Sequence, residues 1–517
     1  LGESKQRNRA AQASKAFDAG VAHHRAGRLD AAETAYADVL QLVPAHPGAL
    51  NMQGVLALQR GDATAALALF DRAISAGADG AGVFLNRGNA LRALQRRSEA
   101  LASYDRALGI DPRMAGAHVN RGNVLRDDGR LEEAAAAYHT ALALDPTSFA
   151  AAANVSAVLA KLSARGDDAV LAAYGVAIAL ASRQGLRGPE VANCYNAVGV
   201  IHRRAGRVDE AIASLRSACD HDAKFAEAHF NLAQVFTDAA RYGDALESLQ
   251  LARELDPDLP GIFDSLALML RRLGRNADAA VVYQQWSDKE PSNPIPAHMA
   301  RALSGEPPPE AASAEYVRQE FDGFAAKFDE VLQTKLGYRA PALVDAAVHA
   351  ALGEGAHGLD VADLGCGTGL CGPGLRPLAA RLVGIDLSPK MLELAKGRGY
   401  DELVVDDIVS YCRSMPGEFD LLVAADVLVY IGDLVPLFAA ARTSLRDGGH
   451  LVFTVERAED TSGGYVLNVG GRFMHAEGYV RARLAGAGFS VLDASAETLR
   501  TELAQPVAGL VVVARAD

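Results

Sequence analysis

Aromatic residues make up only 6% of this 517-residue chain, tryptophan occurs once, and cysteine occurs five times. Cys194, Cys219, Cys366, Cys371 and Cys412 form no Cys-x-x-Cys pair, and the histidines do not fall at zinc-ligand spacing. Neither a disulfide framework nor a metal site is therefore expected. The formal net charge is −13 and no lysine–arginine cluster stands out, which excludes nucleic acid as an expected partner. Long hydrophobic runs are also missing. The longest, 170–181, is too short to span a bilayer and fits a buried helix. The opening LGESKQRNRAAQASK is polar and lacks the apolar stretch of a secretory signal, so a reducing, cytoplasmic setting is expected. What is present is length for roughly two to four domains and an alanine-rich composition that suits closely packed helices.

A 34-residue period fills the first half. Gly20, Gly54, Gly88 and Gly122 keep it, as do Tyr36, Phe70, Tyr104 and Tyr138. Ala32, Ala66, Ala100 and Ala134 share the phase, and so do Pro44, Pro112 and Pro146, with Ala78 standing in once. After an irregular stretch the register returns at Ala211, Ala245 and Ala279, with Pro257 and Pro291 closing two units. This pattern resembles the tetratricopeptide repeat (TPR). It implies an all-α superhelix over 13–293, with about eight helical hairpins. The small residues would let paired helices approach, the aromatics fill space between hairpins, and proline end each second helix. The unit at 149–191 is irregular, with extra residues near 164–168 and 183–190 and a local bend expected there.

Asn86, Asn120 and Asn154 are also 34 apart, and Asn231 recurs at the same repeat position. In a TPR this position faces the concave groove, and the row is similar to the asparagine ladder of the O-GlcNAc transferase repeats. Such amides hydrogen-bond the backbone of an extended protein or peptide partner, or else simply solvate the groove. Residues 294–315, PIPAHMARALSGEPPPEAASAE, break the repeat and read as a linker.

From 316 to 517 the periodicity changes. Helical patterns at 316–332 and 340–352 precede apolar strands at 360–363, 381–387, 402–406, 419–425 and 450–455, with two late strands at 489–494 and 509–514. Strand–helix alternation implies a largely parallel sheet covered on both faces, binding ligands at the strand carboxyl ends. VADLGCGTGL at 361–370 places Gly365, Gly367 and Gly369 in a tight turn after the first strand, and Asp386 closes the second. The G-x-G-x-G spacing departs from the nicotinamide fingerprint. It resembles motif I of the class I S-adenosylmethionine (SAM)-dependent methyltransferases, and the segments FDGFAAKFDEVLQTKLGYRAP, GRFMHAEGYV and LRTELAQPVAGLVVVA resemble methyltransferases that carry TPRs.

That resemblance implies a Rossmann-like α/β domain with SAM as cofactor and S-adenosylhomocysteine (SAH) as its product. Asp363, Gly365, Cys366, Gly367, Thr368 and Gly369 would wrap the methionine portion, and Asp386 with Leu387 would hold the ribose. Asp407 and Ile408 would flank adenine, with Asp406 as the register alternative. Ala425 and Asp426 would border the sulfonium and the substrate, with Asp426 counted among the catalytic candidates, and Tyr338 would close over SAM. His475, Arg472 and Tyr479 follow the fifth strand, where acceptors are met; His475 is the base candidate because its ordinary pKa lies near working pH. Three functions are open: methylation of a protein or peptide presented by the groove, methylation of a small molecule with the repeats docking a partner assembly, and a non-catalytic SAM-binding module.

Overall fold

The computed structural model describes residues 2–162, 166–325, 328–334, 336–353, 355–459, 463–502 and 505–517. They fall into two compact units, Leu1–Leu259 and Pro260–Asp517. No helix among the described residues is long and apolar enough to cross a membrane.

The first unit is built from helices that pair in sequence order, from Gly2–Arg25 with Leu29–Leu42 to Ala226–Asp238 with Tyr242–Leu255. The periodic residues explain the pairing. A Cβ added at Gly20, Gly54, Gly88 or Gly122 would lie 2.5–2.6 Å from the ring of Tyr36, Phe70, Tyr104 or Tyr138 respectively. Each aromatic thus fills the seam of its own hairpin, where the expectation had put it between hairpins. Ala32, Ala66, Ala100 and Ala134 are fully buried at the same contacts. In the irregular repeat, helix Asp167–Gln184 has 18 residues against 13 or 14 in the preceding second helices. Of the extra residues expected near 164–168, 164 and 165 lie outside the described residues.

The second unit opens on helices Ile262–Arg272 and Asn276–Lys289. Residues 294–315, expected as a linker, carry helix Pro294–Leu303, which starts because the Asn293 side chain accepts from the Ile295 N–H and proline occupies the first turn. On it His298 donates to the Gly471 carbonyl (2.8 Å) and stacks on Tyr316 at 3.9 Å, which ties the helix to the α/β core. Further on, the Gly432 and Asp433 N–H groups both donate to the Glu310 carbonyl at 2.8 Å.

The sheet comprises β1 (Leu359–Leu364), β2 (Ala379–Asp386), β3 (Glu402–Val405), β4 (Phe419–Ala424), β5 (Leu445–Ala458), β6 (Tyr465–Leu467), β7 (Phe473–Ala476), β8 (Phe489–Glu502) and β9 (Gln505–Ala516). β3, β2, β1, β4 and β5 are parallel in that order; β9 is antiparallel to β5 and β8 antiparallel to β9. β7 pairs with the far end of β5, and β6 with β7. Alternate residues serve opposite cores: Leu364, Leu422 and Phe453 pack on one face, Val361, Leu421 and Val452 on the other. Strand order reverses between β1 and β4, so the carboxyl ends of these strands frame a crevice. The late hairpin is longer than expected, and β6 and β7 were not anticipated. The expected helix 316–332 is two helices, Ala314–Phe324 and Phe328–Thr334.

Candidate active site

A cavity of about 480 Å³ lies at the strand carboxyl ends. The turn after β1 forms one wall. Gly365, Gly367 and Gly369 have φ of +69°, +55° and +86°, a region that L side chains rarely adopt. Their surroundings differ. A Cβ on Gly365 would meet Val427 at 2.4 Å and one on Gly369 would meet Tyr400 at 2.9 Å, so protein packing alone requires glycine there. At Gly367 the nearest atom would be 3.9 Å away, and the backbone is bare toward the cavity. Gly369 itself does not line the cavity, whereas Asp363, Gly365, Cys366, Gly367 and Thr368 do.

The acidic groups are held in place by hydrogen bonds. Asp386 accepts the Gly367 N–H on Oδ2 (2.9 Å) and the Ser388 N–H on Oδ1 (2.8 Å), leaving each oxygen a lone pair. Burial pushes its carboxyl up while these N–H groups hold it down. Asp363 is 1% exposed; Oδ2 accepts from the Tyr400 hydroxyl (2.6 Å), and Oδ1 has no partner among the described residues. Burial pushes its pKa to about 7, opposed by Tyr400 and assisted by Asp386. A buried carboxyl with a spare oxygen fits a cationic ligand group, and two half-used carboxylate oxygens fit a diol. Asp407 caps helix Ile408–Ser414, with Oδ1 accepting from Val409 and Ser410 at 3.1 and 2.9 Å. The structure places Asp407 and Ile408, and not Asp406, on the cavity wall, beside Leu387, Ala425 and Tyr338. These residues are the groups available to a ligand in the cavity.

Helices Ala314–Phe324 and Phe328–Thr334 supply a further wall. Phe321 meets Phe328 and Tyr430 edge-on at 6.0 and 5.4 Å, and Phe324 meets Phe328 at 5.7 Å. Asp329 accepts from the Thr368 hydroxyl (2.6 Å), and Asp322 from the Ser388 hydroxyl (2.5 Å). The aromatic wall is thereby pinned to the turn and to the start of helix Pro389–Ala395, just after β2.

The four expected catalytic residues separate. Asp426 and Arg472 line the cavity; His475 and Tyr479 do not. His475 is fully buried, donates from Nε2 to the Gly432 carbonyl (3.1 Å) and leaves Nδ1 without a partner. Burial lowers its pKa to about 4, and its ring lies away from the cavity where the expected base would act. Tyr479 donates to Asp433 (2.9 Å) and accepts from the Leu434 N–H (3.1 Å), which fixes the loop after β4.

Sequence reading missed Arg500. It is 1% exposed on β8 and lines the cavity. Its guanidinium contacts both Asp426 oxygens at 2.9 and 3.1 Å, Glu502 at 2.7 Å, and Glu456. Arg472 pairs with Glu502 and lies 3.7 Å from Glu456. Asp426 itself has a φ of +60°, rare for a residue other than glycine, with its N–H on the Thr454 hydroxyl (2.8 Å). The available signal was an arginine and a glutamate two residues apart in the apolar late hairpin. Tyr400, the partner of Asp363, carried no signal.

In the first unit, Asn120 and Asn154 donate to Asn89 and Asn123 of the preceding repeat at 2.8 and 3.1 Å, and the same oxygens accept from Tyr104 and Tyr138. Where Phe70 has no hydroxyl, Asn86 donates to Asn51 instead (3.2 Å); Asn231 donates to Asn196 (2.9 Å). Two asparagine rows are therefore cross-linked along the half-buried surface.

Comparison with known proteins places a methyltransferase domain at residues 362–453 and tetratricopeptide repeats at 7–81, 85–149 and 187–260. The ubiquinone biosynthesis O-methyltransferase of Thiobacillus denitrificans is 32% identical over 102 residues, covering 19% of this chain and 44% of that protein. Its namesake from Xanthomonas campestris is 28% identical over 156 residues, covering 28% and 64%. The chain thus spans less than two thirds of the relatives it matches. An S-adenosylmethionine-dependent methyltransferase structure from Mesorhizobium loti is 25% identical, with a TM-score of 0.28, covering 33% of this chain and 97% of that one. The chain carries tetratricopeptide repeats followed by a methyltransferase domain.

Proposed function

We propose that this chain transfers a methyl group from SAM to a small molecule that enters the cavity, while its repeats hold a protein or peptide partner. The observation that carries this reading is the cavity itself. About 480 Å³, walled by the motif I turn and the Phe321–Phe324–Phe328 cluster, is the size of a small-molecule site and must hold the donor as well. The relatives' names point the same way.

When bound, SAM supplies an activated methyl on a sulfonium, so alignment and exclusion of water are the protein's main tasks. Asp386 takes the ribose hydroxyls on its two half-used oxygens, with Leu387 beside it. Asp363 meets the ammonium, and Cys366, Gly367 and Thr368 bring bare backbone to the methionine portion. Asp407 and Ile408 flank adenine through the oxygen that the helix cap leaves free. Ala425, Tyr338 and Asp426 border the reacting methyl, and Arg500 fixes the direction of the Asp426 carboxylate.

A second reading, in which the groove delivers a peptide whose side chain is methylated, is supported by the asparagine rows. Each donating amide keeps a second N–H for an extended backbone. Incubating the full chain with methyl-tritiated SAM and fractionated lysate separates the two. Label in metabolites supports the first reading; label confined to protein bands overturns it in favour of the second.

A further inference from the structure

Charge distinguishes the acceptor end of the cavity from the donor end. Arg472 and Arg500 both reach the wall, but Asp426, Glu456 and Glu502 already pair with them. Three carboxylates answer two guanidiniums, which leaves no spare positive charge for an acceptor's anion. Glu320 is different. It lies on helix Ala314–Phe324, on the face where Val317, Phe321 and Phe324 line the cavity, and among the described residues it has no hydrogen bond or ion pair. The residue is exposed, and where its carboxyl meets the cavity wall desolvation pushes it up, Arg472 pulls it down and Asp264 pushes it further up. Phe321 and Tyr430, whose rings meet at 5.4 Å, line the cavity beside it, and aromatic faces attract cations.

We propose that Glu320 receives a protonated nitrogen of the acceptor, so that the domain methylates an amine on an apolar body and not a phenol, an alcohol or a carboxylate. This rests on reading the cavity as the methyl-transfer site, and it parts from the O-methyltransferases the chain resembles. The ammonium proton passes to the Glu320 carboxylate, and the freed nitrogen lone pair forms the new C–N bond. The methyl's bond to sulfur breaks with its electron pair left on sulfur, and the positive charge remains in the cavity on the methylated nitrogen. A wall with excess carboxylate favours that outcome. A phenolate would instead bring a further anion against unpaired negative charge.

The test uses the full-length chain saturated with SAH and three probes of one shape class: 2-phenylethylammonium, 4-methylphenol and 3-phenylpropionate. Calorimetry is expected to show the ammonium binding at least roughly tenfold more tightly than the other two, the scale of one charge-assisted hydrogen bond. Glu320→Gln should erase the preference, and Glu320→Lys should turn it toward the propionate. SAH affinity, read on the same samples, reports whether each variant is folded. Ammonium binding no better than the other probes, including no heat from any of them, overturns the proposal, as does a preference that survives Glu320→Gln. Failure of SAH itself to bind would instead strike the methyl-transfer reading.

Discussion

Replacing His475 by glutamine separates a buried structural histidine from a titrating base. In the folded chain the ring is fully enclosed, its Nε2–H is held by the Gly432 carbonyl, and its pKa is lowered from 6.5 to about 4. Between those values the unfolded chain binds the proton and the folded chain does not. Stability from this group is therefore complete above about pH 6.5 and is lost as pH falls toward 4. Lowering the pH from about 7 to about 5 should remove about 2 kcal/mol from the wild type through this residue alone. Glutamine keeps an N–H donor without the titration, so His475→Gln should lack that component. Urea unfolding followed by Trp286, the only tryptophan and a member of the same compact unit, reads the difference. A wild-type-minus-variant stability that stays constant between pH 7 and pH 5 would refute the reasoning and reopen His475 as a base.

Asp386→Lys should remove measurable SAH binding in calorimetry, because it puts a cation where two backbone N–H groups already converge; retained affinity would mean the ribose lies elsewhere. Arg500→Met strands Asp426 and Glu456 in the interior and should cost about 3–5 kcal/mol in denaturant unfolding. A loss below about 1 kcal/mol would show that solvent reaches those carboxylates. Gly365→Ala should lower the thermal midpoint more than Gly367→Ala, since only the first drives a methyl into Val427, while both strain the backbone. Gly367→Ala should weaken SAH binding more than its stability loss explains, and equal effects on both readouts at both sites would contradict the assignment of Gly367 to the cavity.

The repeat architecture was legible because each unit spells its packing locally. A glycine and an aromatic sixteen residues apart meet within one hairpin, so the period exposes the contact even though the direction of packing was misread. The asparagine row was equally visible, but its hydrogen bonds run to Asn89 and Asn123, which share the same 34-residue spacing and went unread. Motif I was legible for a similar reason: turn, strand and acidic residue are adjacent in the chain. Two of its three glycines nonetheless answer to Val427 and Tyr400, contacts that no local pattern encodes. An end of the repeats at 293 was expected from proline and the loss of period, yet a further helix, Pro294–Leu303, follows. The hydrogen bond of His298 to Gly471, 173 residues away, has no local signature.

The charged end of the cavity was least legible because it is assembled across the chain. Asp426 lies just after β4, Glu456 lies on β5, Arg472 precedes β7, and Arg500 and Glu502 sit on β8. Proximity in sequence made His475 and Tyr479 look like partners of Arg472. Yet β7 runs beside the end of β5, and there His475 faces the Gly432 carbonyl while Arg472 faces Glu502. The long β8–β9 hairpin then delivers the buried arginine that completes the cluster. The residue expected as base from its ordinary pKa thus lies apart from the charge network that lines the cavity. Outside that network Glu320, carried by helix Ala314–Phe324 before the sheet begins, also reaches the cavity, a placement that no local pattern around the fifth strand could have shown.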